Sequence, residues 1–341
     1  MRVLAKFTRH QVITRMLDVG IIPVFYQKDL EVAKKILEAC GDGGASIVEF
    51  TNRGDFAHQV FLELSKWCSE TLPHVALGVG SIIDPGTAAI YINSGANFVV
   101  SPILNPEVVK ICNRRKIAHC PGCGTVSEIS QAEELGVEIV KIFPAGELGG
   151  PAFIKNLHGP IPWAQIMPTG GVEPTWESIS SWINAGAACL GMGSKLISKE
   201  LVAAKDFEGI KHNVENCIAW VKKARGTPLF TGLEHVGLYP SKTATAGQLA
   251  DWYAEVFGFK KTEGTSSFFL NSQQGRIEVM KEPIQSECHV AVRVSNFEEA
   301  CKYLTEHGIE LEEPKIKKDV KAVFLKQPDK AGNRVHIIYT P

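Results

Sequence analysis

The 341-residue chain is 45% hydrophobic and 21% charged, which sets it apart from disordered, collagenous and coiled-coil proteins and makes it long for one small domain. Its 36 Lys plus Arg balance 37 Asp plus Glu, arguing against a nucleic-acid partner or a polybasic membrane anchor. The opening residues lack a signal peptide's apolar core, no uncharged apolar run is long enough for a span, and nine scattered cysteines suit reduced thiols, so the expected location is cytoplasmic.

From Ile21 onward a short apolar strand, a turn rich in Gly, Pro, Asp and Asn, and a helix-period stretch recur. The spacing predicts eight strands: Ile21–Tyr26, Ser46–Thr51, Val75–Gly80, Phe98–Ile103, Ile117–Pro121, Ile139–Pro144, Gln165–Thr169 and Ala188–Gly193. Alternation of strand and helix implies parallel βαβ units, and eight of them fit a (β/α)8 TIM barrel over residues 1–225. A doubly wound open sheet is the other arrangement with this cadence. An amphipathic stretch over 206–225 runs into Gly226, Thr227 and Pro228, and 226–231 reads as a linker.

The remaining residues, 232–341, change character. LEHVGL, a helix-like stretch over 247–256 and strands at 267–271 and 276–280 are echoed by CHVAVRV, a second helix-like stretch over 297–307 and strands at 322–325 and 334–339. Two βαβββ repeats would form a smaller α+β domain with a sheet-lined cleft. Lys315–Lys321 reads as a solvated loop.

Alternation along a strand places Lys141 on one face with Ile139 and Phe143, and Glu49 with Ile47 and Thr51. Both charges stand near the C-terminal ends of their strands, four apart in a ring of eight, and so face each other across the mouth. A desolvated lysine has a lowered pKa and is a Schiff-base nucleophile toward carbonyl substrates. A salt bridge between Lys141 and Glu49 is the bland alternative. The glycine-bearing ends PTGG (168–171) and GMGS (191–194) follow the seventh and eighth strands, where barrels often bind phosphate. CPGC (120–123) has redox spacing but ends a strand rather than beginning a helix, so it is read as structural.

EFTNR, GVGSI, SPILNP, PGCGTVSE, VKIFPA, PTGG and GMGS occur in an order and spacing that resemble the 2-keto-3-deoxy-6-phosphogluconate (KDPG) / 4-hydroxy-2-oxoglutarate (KHG) aldolase family over about residues 10–222. The resemblance implies class I retro-aldol cleavage of a keto acid to pyruvate and an aldehyde, with no metal. It implies Lys141 as the Schiff-base lysine and Glu49 as the general acid/base. Arg53 and Thr169 would bind the keto-acid end, and Gly170, Gly171, Gly193 and Ser194 the phosphate. Ser81 stands at a substrate-binding position where threonine is usual, and Lys195 at an aromatic position, where it either adds phosphate charge or is merely solvated. The family also implies a homo-oligomer, typically a trimer.

In the C-terminal repeat, His235 pairs with His289 and Glu278 with His336 at nearly equal separations. Imidazoles with a carboxylate suit a divalent zinc, iron, nickel or manganese ion. LEHVGL, RIEVM, CHVAV and GNRVHII resemble the ligand strands of the glyoxalase / vicinal-oxygen-chelate superfamily, with His336 where glutamate is usual. Arg276, Arg293 and Arg334 nearby favour an anionic ligand. Two other functions stay open: a metal-dependent isomerase, lyase or dioxygenase in this domain, or a ligand-sensing or assembly module.

Overall fold

The computed structural model describes residues 6–240, 244–272, 275–282, 288–317 and 320–340. The chain forms two compact units, Met1–Arg225 and Gly226–Pro341. Among the described residues no helix is long and apolar enough to cross a membrane.

The first unit begins with α1 (Arg9–Val19), started by a Thr8/Gln11 capping box and ended by Gly20 in the left-handed conformation. Then strands and helices alternate: β1 (Ile21–Phe25), α2 (Leu30–Asp42), β2 (Ile47–Thr51), α3 (Ala57–Thr71), β3 (Ala76–Gly80), α4 (Pro85–Asn93), β4 (Phe98–Val100) and α5 (Pro106–Arg115). The second half has β5 (Ala118–Cys120), β6 (Gly122–Cys123), α6 (Val126–Glu134), β7 (Val140–Ile142), α7 (Pro151–Leu157), β8 (Ile166–Pro168), α8 (Trp176–Asn184) and β9 (Leu190–Met192). Two helices close the unit, α9 (Lys199–Ala203) and α10 (Phe207–Ala224). Several turn residues act as caps: the side chains of Asp29, Asp84, Asn105 and Thr175 each accept a backbone N–H of the helix they precede.

All strand pairs here are parallel, in the arcs β5-β4-β3-β2-β1-β9 and β6-β7-β8. Pro121 has no N–H to give a ladder and divides the fifth barrel strand. Its first half, β5, pairs with β4; its second, β6, pairs with β7. The ring is completed between β8 and β9 by the Ala188 N–H donating to the Ile166 carbonyl at 2.8 Å and by a bridge between Thr169 and Gly191. The result is a (β/α)8 barrel.

The strands are shorter than their apolar runs suggest, because the last residues of each run leave the ladder to form the mouth. Ile103 and Phe143 are exposed there. Val12 and Met16 of α1 join Ile22, Ile47, Phe98, Ile139 and Met167 in one buried cluster, while the outer faces of the strands pack on the ring of helices.

The second unit is a mixed eight-stranded sheet. Its first half is β10 (Phe230–Leu238), α11 (Ala246–Phe257), β11 (Lys260–Glu263), β12 (Ser267–Asn271) and β13 (Arg276–Met280). Its second is β14 (Cys288–Val294), α12 (Phe297–Glu306), β15 (Lys315–Lys317), β16 (Val320–Phe324) and β17 (Arg334–Tyr339). The order β11-β12-β13-β10-β14-β17-β16-β15 reads the same for both halves outward from the central antiparallel β10–β14 pair. Two sequence expectations need correction: the linker read over 226–231 is shorter, because Phe230 and Thr231 already belong to β10, where Phe230 pairs with Val294. Lys315–Lys317 is an edge strand paired antiparallel with β16 rather than a loop, its charged side chains keeping that edge in water. Residues 318–319 of the expected loop lie outside the described residues.

Candidate active site and candidate metal centre

In the barrel, β7 carries Lys141 and β2 carries Glu49, each one turn of the pleat above an interior residue, Ile139 and Ile47. Both are nearly sealed from solvent, Lys141 at 6% and Glu49 at 3% exposure. Burial drives the Lys141 ammonium toward its neutral form, although the Glu49 charge opposes it. Burial likewise raises the Glu49 pKa against the pull of Lys141 and Arg53. Among the described residues no ion pair within 4.0 Å joins the two, so the simple salt bridge is absent.

Room for that carboxyl comes from a residue whose role sequence reading did not single out. A Cβ on Gly80 of β3 would collide with the Glu49 carboxyl. The Lys141 ammonium lies 4.9 Å from the centre of the Phe143 ring, whose partial exposure puts it at the mouth.

A cavity of about 640 Å³ opens at the C-terminal ends of the barrel strands. Arg53, Thr169, Gly170, Gly171, Gly193 and Ser194 line it, as do Thr51 and Phe143, the next inward-facing residues beyond Glu49 and Lys141. Lys141, Glu49 and Ser81 are not part of its lining; the first two precede the lining residues Phe143 and Thr51 by two positions, and Ser81 holds a left-handed backbone at the end of β3. The Thr169 hydroxyl is buried without a hydrogen-bond partner, a polar atom free to meet a substrate oxygen. Lys195 lines the outer part of the same cavity.

Cys120 and Cys123 are both buried and free, and burial pushes the Cys123 thiol up to about 12. Neither has the low-pKa, accessible thiolate of a redox pair.

A family model described as KDPG and KHG aldolase matches residues 12–213. The chain belongs to the KDPG and KHG aldolase family. It is 29% identical over 216 residues to the 2-dehydro-3-deoxy-phosphogluconate aldolase of Haemophilus influenzae, covering 63% of this chain and 99% of that one. The corresponding enzyme of Pseudomonas aeruginosa is 32% identical over 175 residues, 51% of this chain and 76% of its own. Among solved structures, a KDPG aldolase from Legionella pneumophila, with pyruvate captured as a covalent carbinolamine intermediate, matches at a TM-score of 0.54 and 27% identity. That likeness covers 60% of this chain and 97% of the other. Members of this family are class I carbon–carbon lyases, and the match lies wholly within the barrel unit.

In the second unit, His235, His289 and His336 are buried, and one nitrogen of each falls within 4.8 Å of the others. His235 Nε2 is 3.1 Å from His289 Nε2, and Glu278 Oε2 lies 3.0 and 3.4 Å from the same two atoms. The structure therefore brings together all four residues paired in the repeat. Their far sides are held by residues that the pairing did not reveal. Glu234 binds His235 Nδ1, Tyr239 Oη is 3.0 Å from His289 Nδ1, and the Ser267 hydroxyl donates to Glu278 at 2.6 Å.

Glu234 and His235 are adjacent, and alternation would send them to opposite faces. A register shift between Leu233 and His235 in the β10–β14 ladder lets both be buried. Gly237 supplies the remaining space, since a Cβ there would strike the His289 ring.

Both nitrogens of His336 are buried with no hydrogen-bond partner. Burial, followed by the charges of His235 and His289, pushes its pKa down to about 3, so it is a neutral imidazole. Burial works to lower the His235 pKa, but the Glu234 and Glu278 carboxylates outweigh it and raise it.

The three arginines are not free anion receptors. Arg276 pairs with Glu234 at 2.8 Å, Arg293 lies 3.9 Å from the same carboxylate, and Arg334 pairs with Glu312 at 2.7 Å. Arg276 and Arg334 are thus already paired with carboxylates, whereas Arg293 keeps only a long approach and is half exposed.

Proposed function

We propose that the barrel performs Schiff-base retro-aldol cleavage of a 4-hydroxy-2-keto acid, 2-keto-3-deoxy-6-phosphogluconate or 4-hydroxy-2-oxoglutarate, releasing pyruvate and an aldehyde. The observation that carries this is the buried Lys141 facing the buried Glu49, with burial lowering the pKa of the first and raising that of the second. A neutral Lys141 Nζ attacks the C2 carbonyl, and the carbinolamine loses water to give a protonated imine. That cation accepts the electron pair of the C3–C4 bond as the C4 hydroxyl loses its proton. The aldehyde departs, and the enamine gains a proton at C3 before hydrolysis frees pyruvate. Glu49 gives and takes these protons, a contribution of about 10²–10⁴-fold. Arg53 and Thr169 hold the carboxylate end, Ser81 supports it, and Gly170, Gly171, Gly193 and Ser194 receive a distal anion.

Lys141→Met should abolish pyruvate release while the barrel remains folded. Glu49→Gln should retain substrate binding and lose about 10²–10⁴-fold in kcat. Wild-type turnover in either variant, followed by a lactate-dehydrogenase-coupled assay, would contradict the assignment.

A second reading concerns the other unit, where the orphaned imidazole of His336 supports a glyoxalase-like metal centre. His235, His289, His336 and Glu278 would hold a divalent zinc, iron, nickel or manganese ion, which when bound supplies Lewis-acid polarisation of a ligand oxygen. Glu234 and Tyr239 fix the outer nitrogens of two ligands, leaving each Nε2 for the ion. Protons compete with the ion for these imidazoles, so metal uptake should weaken as pH falls. Elemental analysis of metal-replete protein tests this: about one ion per chain is expected, lost in His235→Ala with His289→Ala. Unchanged metal content in that double variant would leave the unit as a binding or assembly module.

The trimeric assembly and cytoplasmic location belong to the same proposal. Exposed Ile83 and Ile90 beside and on α4 support subunit contact, and nine free cysteines support a reducing compartment.

A further inference from the structure

The outer part of the barrel cavity carries an arrangement of charge that chemistry at Lys141 does not use. Glu173 lies two residues past Gly171 on the loop after β8, and Lys195 follows Ser194 on the loop after β9. Lys195 Nζ is 3.5 Å from the Glu173 carboxylate, so one ion pair spans the two glycine-bearing loops. Both residues line the cavity, together with Lys199. Among the described residues, the backbone N–H groups of Gly171, Ser194 and Lys195 meet no protein acceptor. The Glu173 N–H, by contrast, donates to the Ser178 hydroxyl at 3.0 Å and is fixed in place.

The pair is long and wet, with its side chains 65% and 46% exposed for Lys195 and Glu173, and such pairs open at little cost. We propose that Lys195 determines specificity for a terminal phosphate on the keto-acid substrate, with Glu173 as the counterion it exchanges for that phosphate. This rests on the aldolase reading of the cavity and names the substrate class within it. A phosphate ester carries nearly two negative charges and three acceptor oxygens. It can take the lysine ammonium and the free N–H groups together, and outcompetes a single carboxylate. In 4-hydroxy-2-oxoglutarate the distal carboxylate is attached to C4, the reacting carbon, and stays close to Lys141. In 2-keto-3-deoxy-6-phosphogluconate the phosphate sits on C6, two carbons farther out, toward the rim where Lys195 stands. Glu173 discourages smaller anions from settling there without a substrate.

Steady-state kinetics on both substrates with Lys195→Met, Lys195→Arg and Glu173→Gln test this. Lys195→Met should raise KM for the phosphorylated substrate about tenfold with kcat within about twofold, and move KM for 4-hydroxy-2-oxoglutarate far less. Lys195→Arg should restore most of the loss. Glu173→Gln should lower KM for the phosphorylated substrate and strengthen inhibition by inorganic phosphate. Equal KM changes for the two substrates, an unmoved KM in Lys195→Met, or no turnover of the phosphorylated substrate would overturn the assignment. Pyruvate trapping at Lys141 is measured in parallel. Its failure in the unaltered protein counts against the aldolase reading itself, whereas intact trapping with an unmoved KM counts only against Lys195.

Discussion

Lys141 and Glu49 are intelligible as a pair that burial pushes toward neutrality. Because the Glu49 charge opposes the lowering of the Lys141 pKa, removing it has a definite sign. In Glu49→Gln, the pH midpoint for adduct formation at Lys141 should move to lower pH, since the desolvated amine loses the neighbour that stabilises its proton. A midpoint that stays or rises would show that Glu49 does not face the amine. Strand parity made both residues visible in the sequence, since Ile139 and Ile47 announce the interior face. The glycines that accommodate their neighbours were not legible. Gly80 and Gly237 look like ordinary strand residues until the Glu49 carboxyl and the His289 ring are seen where their Cβ atoms would be.

At the level of elements, most of the alternation was readable because apolar runs and caps agree with each other. What escaped was local ladder chemistry. Pro121 splits a strand between two partners, and the irregularity at Leu233–His235 places consecutive residues on one face. No pattern of period two contains either event. The helix α1 escaped too, although its Thr8/Gln11 capping box was present in the sequence. The metal centre proposed here would depend on these details as well as on its ligands' identities. Gly237→Ala should displace the His289 imidazole and cost at least tenfold in metal affinity while β10 and β14 stay paired. Metal competition titration with circular dichroism checks this, and undiminished affinity would show that the ring's position does not matter. The arginines illustrate the opposite error. Their spacing suggested an anion site, but spacing does not report that Arg276 already pairs with Glu234 and Arg334 with Glu312.

For the whole molecule, the barrel reaction and the metal binding proposed for the C-terminal unit should be separable. EDTA should remove metal from the C-terminal unit and lower its unfolding temperature, since an ion that binds only the folded state stabilises it. Pyruvate release by the barrel should continue, because nothing in the Lys141 reaction needs the ion. Loss of both together would contradict this separation. The central claim is that Lys141 is the carbon–carbon lyase's nucleophile. Borohydride reduction in the presence of pyruvate, followed by mass spectrometry of the digested protein, tests it most directly. The account predicts one reduced pyruvyl adduct per chain, on the peptide containing Lys141 and absent in Lys141→Met. Stoichiometric modification of a different lysine, or no adduct with the folded protein, would contradict it.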